Sequence, residues 1–176
     1  ALQPGDNTPL RDFKATVYEG GIRAASFVNW PGKVAAQQRI KEPMHTVDWY
    51  PTLIGLAGGS LKQTLPIDGL DVWPMITQQK TSPHDAILSV SNRGTSLVAI
   101  RMGNWKLIVL DMTGIAVGSK ISNRYEPVAL FNLADDPSEK KNLAASQPEK
   151  VAQLQAKLKQ LLAGAVPSIT KENAVE

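Results

Sequence analysis

Lys14, Glu19 and Arg23 lie close together in the stretch Lys14-Ala-Thr-Val-Tyr-Glu-Gly-Gly-Ile-Arg23, which runs on into Ala24-Ala-Ser-Phe-Val-Asn-Trp-Pro-Gly32. The Gly20-Gly21 pair frees the backbone for φ > 0 or for close approach to another group, and Ile22 to Val28 is apolar enough to run as a buried strand. Such a framework would hold Lys14 and Arg23 at fixed places beside an anion. A fixed ammonium in a water-poor site stabilises developing negative charge more strongly than one in bulk water. Arg23 stands four residues after Glu19 and reads first as a brace for the turn, pairing with Glu19 or bridging backbone carbonyls. Direct contact with the anion is its second reading. Glu19 and Tyr18 read as framework.

Other residues offer less. His45 and His84 are the only histidines. His45 precedes a helical pattern with Asp48 three residues on, so it reads as a cap or packing residue, with substrate contact across a cleft as the alternative. His84 sits in a loop and carries no evident task. Asp68 and Asp71, and the Asp135-Asp136 pair before Pro137, have the spacing of turns and helix starts, where a short carboxylate accepts backbone N–H groups. Asp6-Asn7 sets a carboxylate beside an amide oxygen, a pairing suited to a hard cation; the Pro and Gly around it favour a turn. Trp30, Trp49, Trp73 and Trp105 each stand in apolar framework and read as core.

The elements that would position these residues can be traced along the chain. Residues 1–13 form an approach loop, dense in Pro and Gly. Trp30-Pro31-Gly32-Lys33 is a turn, and residues 34–43 are a polar surface loop. Thr46 to Ala57 has a helical pattern, with Thr46 as its cap, Val47, Tyr50, Ile54 and Ala57 near one face, and Gly58-Gly59 as its stop. A short helix ends near Gln78. From there the period changes. Ala86–Ser91, Ser96–Met102, Trp105–Leu110 and Val128–Leu133 are strand-like runs, separated by turn signals at Asn92-Arg-Gly94 and Gly103-Asn104 and by a long connection. Four strands make an antiparallel sheet with a face to cover, and the helix after Ser146-Gln-Pro-Glu149 supplies an apolar stripe of Val151, Leu154, Leu158, Leu161 and Leu162. Ser146 and Glu149 have the spacing of a capping box.

These segments carry a resemblance to the sulfatase family, in its arylsulfatase branch. Lys14 with the Tyr-Glu-Gly-Gly-Ile-Arg turn is similar to the family's active-site lysine segment. Val47-Asp48 with Pro51-Thr-Leu53, and Asp68-Gly-Leu-Asp-Val-Trp-Pro74, resemble the segments that follow it. Arg101-Met-Gly-Asn-Trp-Lys-Leu-Ile108 and Leu130-Phe-Asn-Leu-Ala-Asp-Asp-Pro-Ser-Glu-Lys-Lys-Asn-Leu143 resemble the family's later structural motifs. The resemblance implies that Lys14 points at the sulfate group of a substrate and serves as both a catalytic and a substrate-binding residue, with Arg23 and His45 as secondary substrate-binding candidates. It implies an α+β chain, the C-terminal piece of the α/β sulfatase (alkaline-phosphatase-like) fold, with a four-stranded antiparallel sheet packed by a C-terminal helix. The expected divisions are 1–80, the end of the large α/β domain with the lysine loop; 81–164, the sheet and helix; and 165–176, a flexible tail.

The resemblance covers the later part of a sulfatase only. Family members use a formylglycine made from Cys or Ser in a Cys/Ser-x-Pro/Ala-x-Arg motif, and they bind calcium through residues upstream of the lysine. This chain has no cysteine, and neither Ser82 nor Ser138 has the required Pro and Arg. Asp6-Asn7 lies too close to Lys14 to match the calcium-binding Asp-Asn pair, so no metal ligand is expected here, and calcium and formylglycine are implied for the complete enzyme. The expectation is a sulfuric ester hydrolase fragment or subunit, inactive alone, whose partner is the N-terminal sulfatase part in the same precursor or a second chain. Two rival readings are a noncatalytic sulfated-glycan-binding or scaffold module and part of a related phosphoric ester hydrolase. A formal charge of +3 spread along the chain argues against nucleic acid. No window reaches the roughly 18 apolar residues of a membrane span. The resemblance points to a periplasmic or secreted location.

Overall fold

The computed structural model describes residues 5–64, 66–91, 97–111 and 125–164. Its elements are α1 (Glu19–Ile22), a 3-10 turn (Thr46–Asp48) leading into α2 (Trp49–Leu56), α3 (Trp73–Gln78), β1 (Ile87–Ser91), β2 (Leu97–Met102), β3 (Trp105–Asp111), β4 (Tyr125–Asn132) and α4 (Pro148–Ala163). The chain divides into two compact units, residues 1–24 with 88–176 and residues 25–87. This grouping differs from the 1–80 and 81–164 division expected from sequence, because the lysine loop joins the sheet. The Asn92–Gly94 turn and the 165–176 tail lie outside the described residues.

In the first unit the strands lie in the order β1-β2-β3-β4, with β2, β3 and β4 antiparallel. The alternation of side chains along a strand separates two faces. Ala99, Ile108 and Ala129 stand opposite one another in register, and with Phe131 and Val17 they form one buried cluster. Ile100, Leu107 and Leu130 also stand in register, on the other face. Helix α4 packs on β2, β3 and β4, burying Val151, Leu154, Leu158 and Leu162. The expected stripe is therefore present, with Leu161 at its half-exposed edge. The expectation of one face to cover falls short, because the segment around Val17 covers the second.

Two local expectations are corrected. Helix α4 has no capping box: Pro148 occupies its first turn, Gln147 is the N-cap without a side-chain hydrogen bond, and Ser146 Oγ donates back to the Leu143 carbonyl. Ile22 to Val28 is no strand. Glu19–Ile22 is a single helical turn, and the residues after it belong to no strand and are largely exposed, with Phe27 at 92%.

In the second unit Val72, Met75 and Ile76 of the α3 region are buried with Val28, Val34, Met44, Trp49 and Trp73 packed around them. His45, not Thr46, caps the 3-10 turn, its Nδ1 accepting from the Val47 amide. The expected apolar face of α2 is not buried: Val47, Tyr50 and Ala57 are exposed and Ile54 is half-buried, while Pro51 and Thr52 are the buried residues and Leu53 is also exposed.

Candidate functional site

Lys14 is exposed at the tip of a loop that the surrounding chain pins from several directions. Asn7 Nδ2 donates to the carbonyls of Asp12 and Gly20 at 3.2 and 3.0 Å. The Gly20 amide donates to the Arg11 carbonyl at 2.8 Å. Next to Lys14, the Ala15 carbonyl accepts from Ser91 Oγ of β1 at 2.6 Å, and Thr16 Oγ1 donates to the Phe13 carbonyl. Val17 is then fully buried in the sheet cluster. The loop backbone is fixed while the lysine side chain stays outside, as a residue must be if it is to meet a ligand.

Gly20 serves this geometry by close approach, not by φ > 0. A Cβ there would come within 2.2 and 2.4 Å of the Asp12 and Arg11 carbonyl oxygens. Gly69 plays the same part in the second unit, where a Cβ would stand 2.3 Å from the Val47 carbonyl oxygen.

Beneath the lysine loop lies a charge cluster for which the sequence reading had assigned only framework. Lys106 Nζ is 3.0 Å from Glu19 Oε1 and 2.8 Å from Glu139 Oε1, and all three residues are at most 2% exposed. Glu139 Oε2 accepts the Glu19 amide at 2.6 Å, while the ammonium is the charge partner of its Oε1. Arg11 Nη1 donates to the Glu139 carbonyl at 3.0 Å, and its guanidinium lies 3.9 Å from the Tyr18 ring centroid. A signal was present in the sequence: Lys106 lies two residues before Ile108 and so shares its inward face, where an ammonium needs buried carboxylates.

Arg23 carries out its bracing role loosely. Its Nη1 is 3.9 Å from Glu19 Oε2, and the side chain is 59% exposed. Lys14 and Arg23 belong to the first unit and His45 to the second. His84, assigned no task from sequence, has one: its Nε2 lies 2.8 and 2.9 Å from the two oxygens of Asp48, to which it donates. Asp48 is fully buried and also accepts the amides of His45 at 2.6 Å and Leu70 at 3.0 Å. The pair ties the 3-10 turn, the Asp68–Trp73 segment and the 82–84 loop together within one unit.

Three of the remaining carboxylates have local partners. Asp71 accepts the Trp73 amide, Asp135 accepts from Asn132 Nδ2, and Asp136 accepts the Lys141 amide. The Thr8 hydroxyl and amide donate to Asp6, holding its carboxyl below the usual range. Asn7 spends its Nδ2 on the Asp12 and Gly20 carbonyls, so the pair holds a turn of the loop together. Among the described residues no group of three or more His, Cys, Asp or Glu could hold a metal ion. A shallow hollow beside the loop is lined by Asp6, Asn7, Asp12 and Phe13. Its carboxylates would repel a sulfate, so the anion reading rests on the outward ammonium of Lys14.

The sheet, its C-terminal helix and the loop on its second face define the class of fold. They are shared with solved sulfatases of the alkaline-phosphatase-like fold, so the chain is an α+β piece of that fold. Ps i-CgsB, solved in complex with k-i-k-neocarrahexaose, matches with a TM-score of 0.69 at 28% identity, over 89% of this chain and 32% of that one. A sulfatase structure reported under the metabolism of multiple glycosaminoglycans by Bacteroides thetaiotaomicron matches with a TM-score of 0.69 at 27% identity, over 87% of this chain and 32% of that one. Residues 82–175 match the family described as the C-terminal region of aryl-sulfatase, and the chain belongs to that family. Arylsulfatase J of Mus musculus is 32% identical over 93% of this chain and 33% of its own length. Steryl-sulfatase of Rattus norvegicus is 31% identical over 77% and 27%. The chain thus spans about a third of the length of the curated relatives it matches. No helix among the described residues is long and apolar enough to cross a membrane.

Proposed function

We propose that this chain is the C-terminal portion of an arylsulfatase-like sulfuric ester hydrolase, and that Lys14 is its contribution to the active site. The supporting observation is the loop geometry: hydrogen bonds from Asn7 and Ser91 and the burial of Val17 fix the backbone on both sides of a lysine whose side chain stays exposed. An ammonium held in this way attracts the nonbridging oxygens of a sulfate ester and offsets charge that grows on the leaving oxygen. Arg23 steadies the turn and is a secondary candidate for contact with the ester, as is His45.

The nucleophile and the calcium ion belong to the N-terminal part of the enzyme, in the same precursor or in a second chain, so this chain has no turnover alone. The exposed Phe27 segment, and the exposed Val47, Tyr50 and Leu53, are surfaces for that part to cover. A hydrated formylglycine there would supply the covalent chemistry. This chain supplies a cation and a wall. The family resemblance supports a periplasmic or secreted location. The carbohydrate names of the two structural relatives make a sulfated glycan the ester to test first.

In the complete enzyme Lys14→Ala is expected to lower kcat on a sulfate ester by roughly 10²–10³, as for loss of one transition-state charge stabiliser. Steady-state kinetics of the purified variant measures it, and wild-type turnover would remove Lys14 from the site.

A further inference from the structure

Lys14 sits midway along an excursion of the chain whose two ends, Arg11 and Glu19, are bonded to one residue. Glu139 accepts Arg11 Nη1 on its carbonyl and the Glu19 amide on its carboxylate. Lys106 then draws the Glu19 and Glu139 carboxylates together from β3, at 3.0 and 2.8 Å. Glu139 itself has φ +54, a left-handed conformation that a glutamate keeps only where its surroundings impose it. Three segments far apart in sequence thus meet in a buried cluster that holds both ends of the Arg11–Glu19 loop.

We propose that Lys106, Glu19 and Glu139 are positioning residues, a buried ion clamp that presents the Lys14 ammonium at a fixed place, with Arg11 as its outer tether. Apolar contact at Val17 holds one point of the loop against the sheet, but it is non-directional and leaves the loop free to pivot. The clamp removes that freedom, because hydrogen-bonded charges fix both distance and direction. Both Glu139 carboxylate oxygens face donors, the Glu19 amide and the Lys106 ammonium, so an amide in its place sets an NH2 against one of them and loosens the loop, whereas removing the ammonium leaves two buried charges in conflict. The catalytic consequence rests on the assignment of Lys14 to sulfate binding; the mechanical one does not.

The test is Glu139→Gln in the complete enzyme, read in two ways. Hydrogen exchange of the amides of residues 12–20 is expected to accelerate about tenfold or more while those of β2, β3 and β4 keep their rates. On a sulfate ester, kcat is expected to fall by about 10²-fold with KM nearly unchanged, because the ammonium is misplaced and not lost. Arg11→Gln changes an exposed residue at the other end of the same tether, and it should show the same pattern more weakly even if Glu139→Gln fails to fold. Wild-type loop exchange in the folded variants would overturn the clamp, and so would acceleration spread evenly over loop and sheet. Loop exchange that accelerates with wild-type kcat would keep the clamp and overturn its link to Lys14. If Lys14→Ala is also silent, the sulfate-binding reading has failed and the clamp stands as a mechanical feature alone.

Discussion

At the scale of single residues, the lysine loop depends on atoms that are absent as much as on those present. Gly20 has carbonyl oxygens of Arg11 and Asp12 where a Cβ would stand. Gly20→Ala must push them away, breaking the 2.8 Å bond from the Gly20 amide to the Arg11 carbonyl and loosening the Asn7 bond to the Gly20 carbonyl. The expected cost is about 1–3 kcal/mol of the first unit's stability. The melting midpoint of the variant measures it, and a midpoint equal to wild type would show that the loop relaxes freely. The sequence identified Gly20 as special but left open whether its use was φ > 0 or close approach, since both require the absence of Cβ and only the neighbours decide. Lys14 and Arg23 were singled out by the resemblance of their segment to the family's active-site lysine segment. The partners of Lys106, Glu139 and His84 could not be read from the chain, because they lie 87, 120 and 36 positions away along it.

At the scale of elements, helix α4 shows how periodicity becomes stability. Leu158 is fully buried in the middle of the stripe that packs on β2, β3 and β4. Leu158→Asp removes about 1.5–3 kcal/mol of apolar burial and adds a buried carboxylate costing several kcal/mol, together enough to match the whole stability of a small domain. Circular dichroism should show loss of the cooperative melt, and an unchanged melt would mean that the helix is not docked. Strands β1 to β4 were readable because runs of Val, Ile and Leu between turn signals have few other uses. Ile22 to Val28 was equally apolar and misread, since a run of that kind becomes a strand only where a neighbouring strand supplies hydrogen bonds. The box at Ser146 failed for a different reason: proline fits best in the first turn of a helix, and Pro148 set the boundary one residue later than the serine required.

At the scale of the whole molecule, the chain presents apolar surface that its own residues do not cover. Phe27 is 92% exposed, and Val47, Tyr50 and Leu53 line one side of the α2 region in the open. Patches of this kind drive association of a chain studied by itself. Sedimentation of the purified 176-residue chain should show self-association, and Phe27→Ser with Leu53→Ser should shift it towards monomer without lowering the melting midpoint. A wild-type chain that stays monomeric at high concentration would mean that these residues do not form a sticky surface. These exposed residues are the ones proposed above to be covered by the N-terminal part of a complete sulfatase; the chain spans about a third of the relatives it matches.

Periodicity, turn chemistry and short motifs are local properties of the chain, and they were enough for the sheet, its covering helix and the sulfatase resemblance. Tertiary structure alone decided that the lysine loop belongs with the sheet, that Lys106 joins Glu19 to Glu139 beneath it, and that His84 holds Asp48. Each of these is a meeting of charges or hydrogen-bonding groups from distant segments, and burial makes such groups seek partners that no local pattern can name.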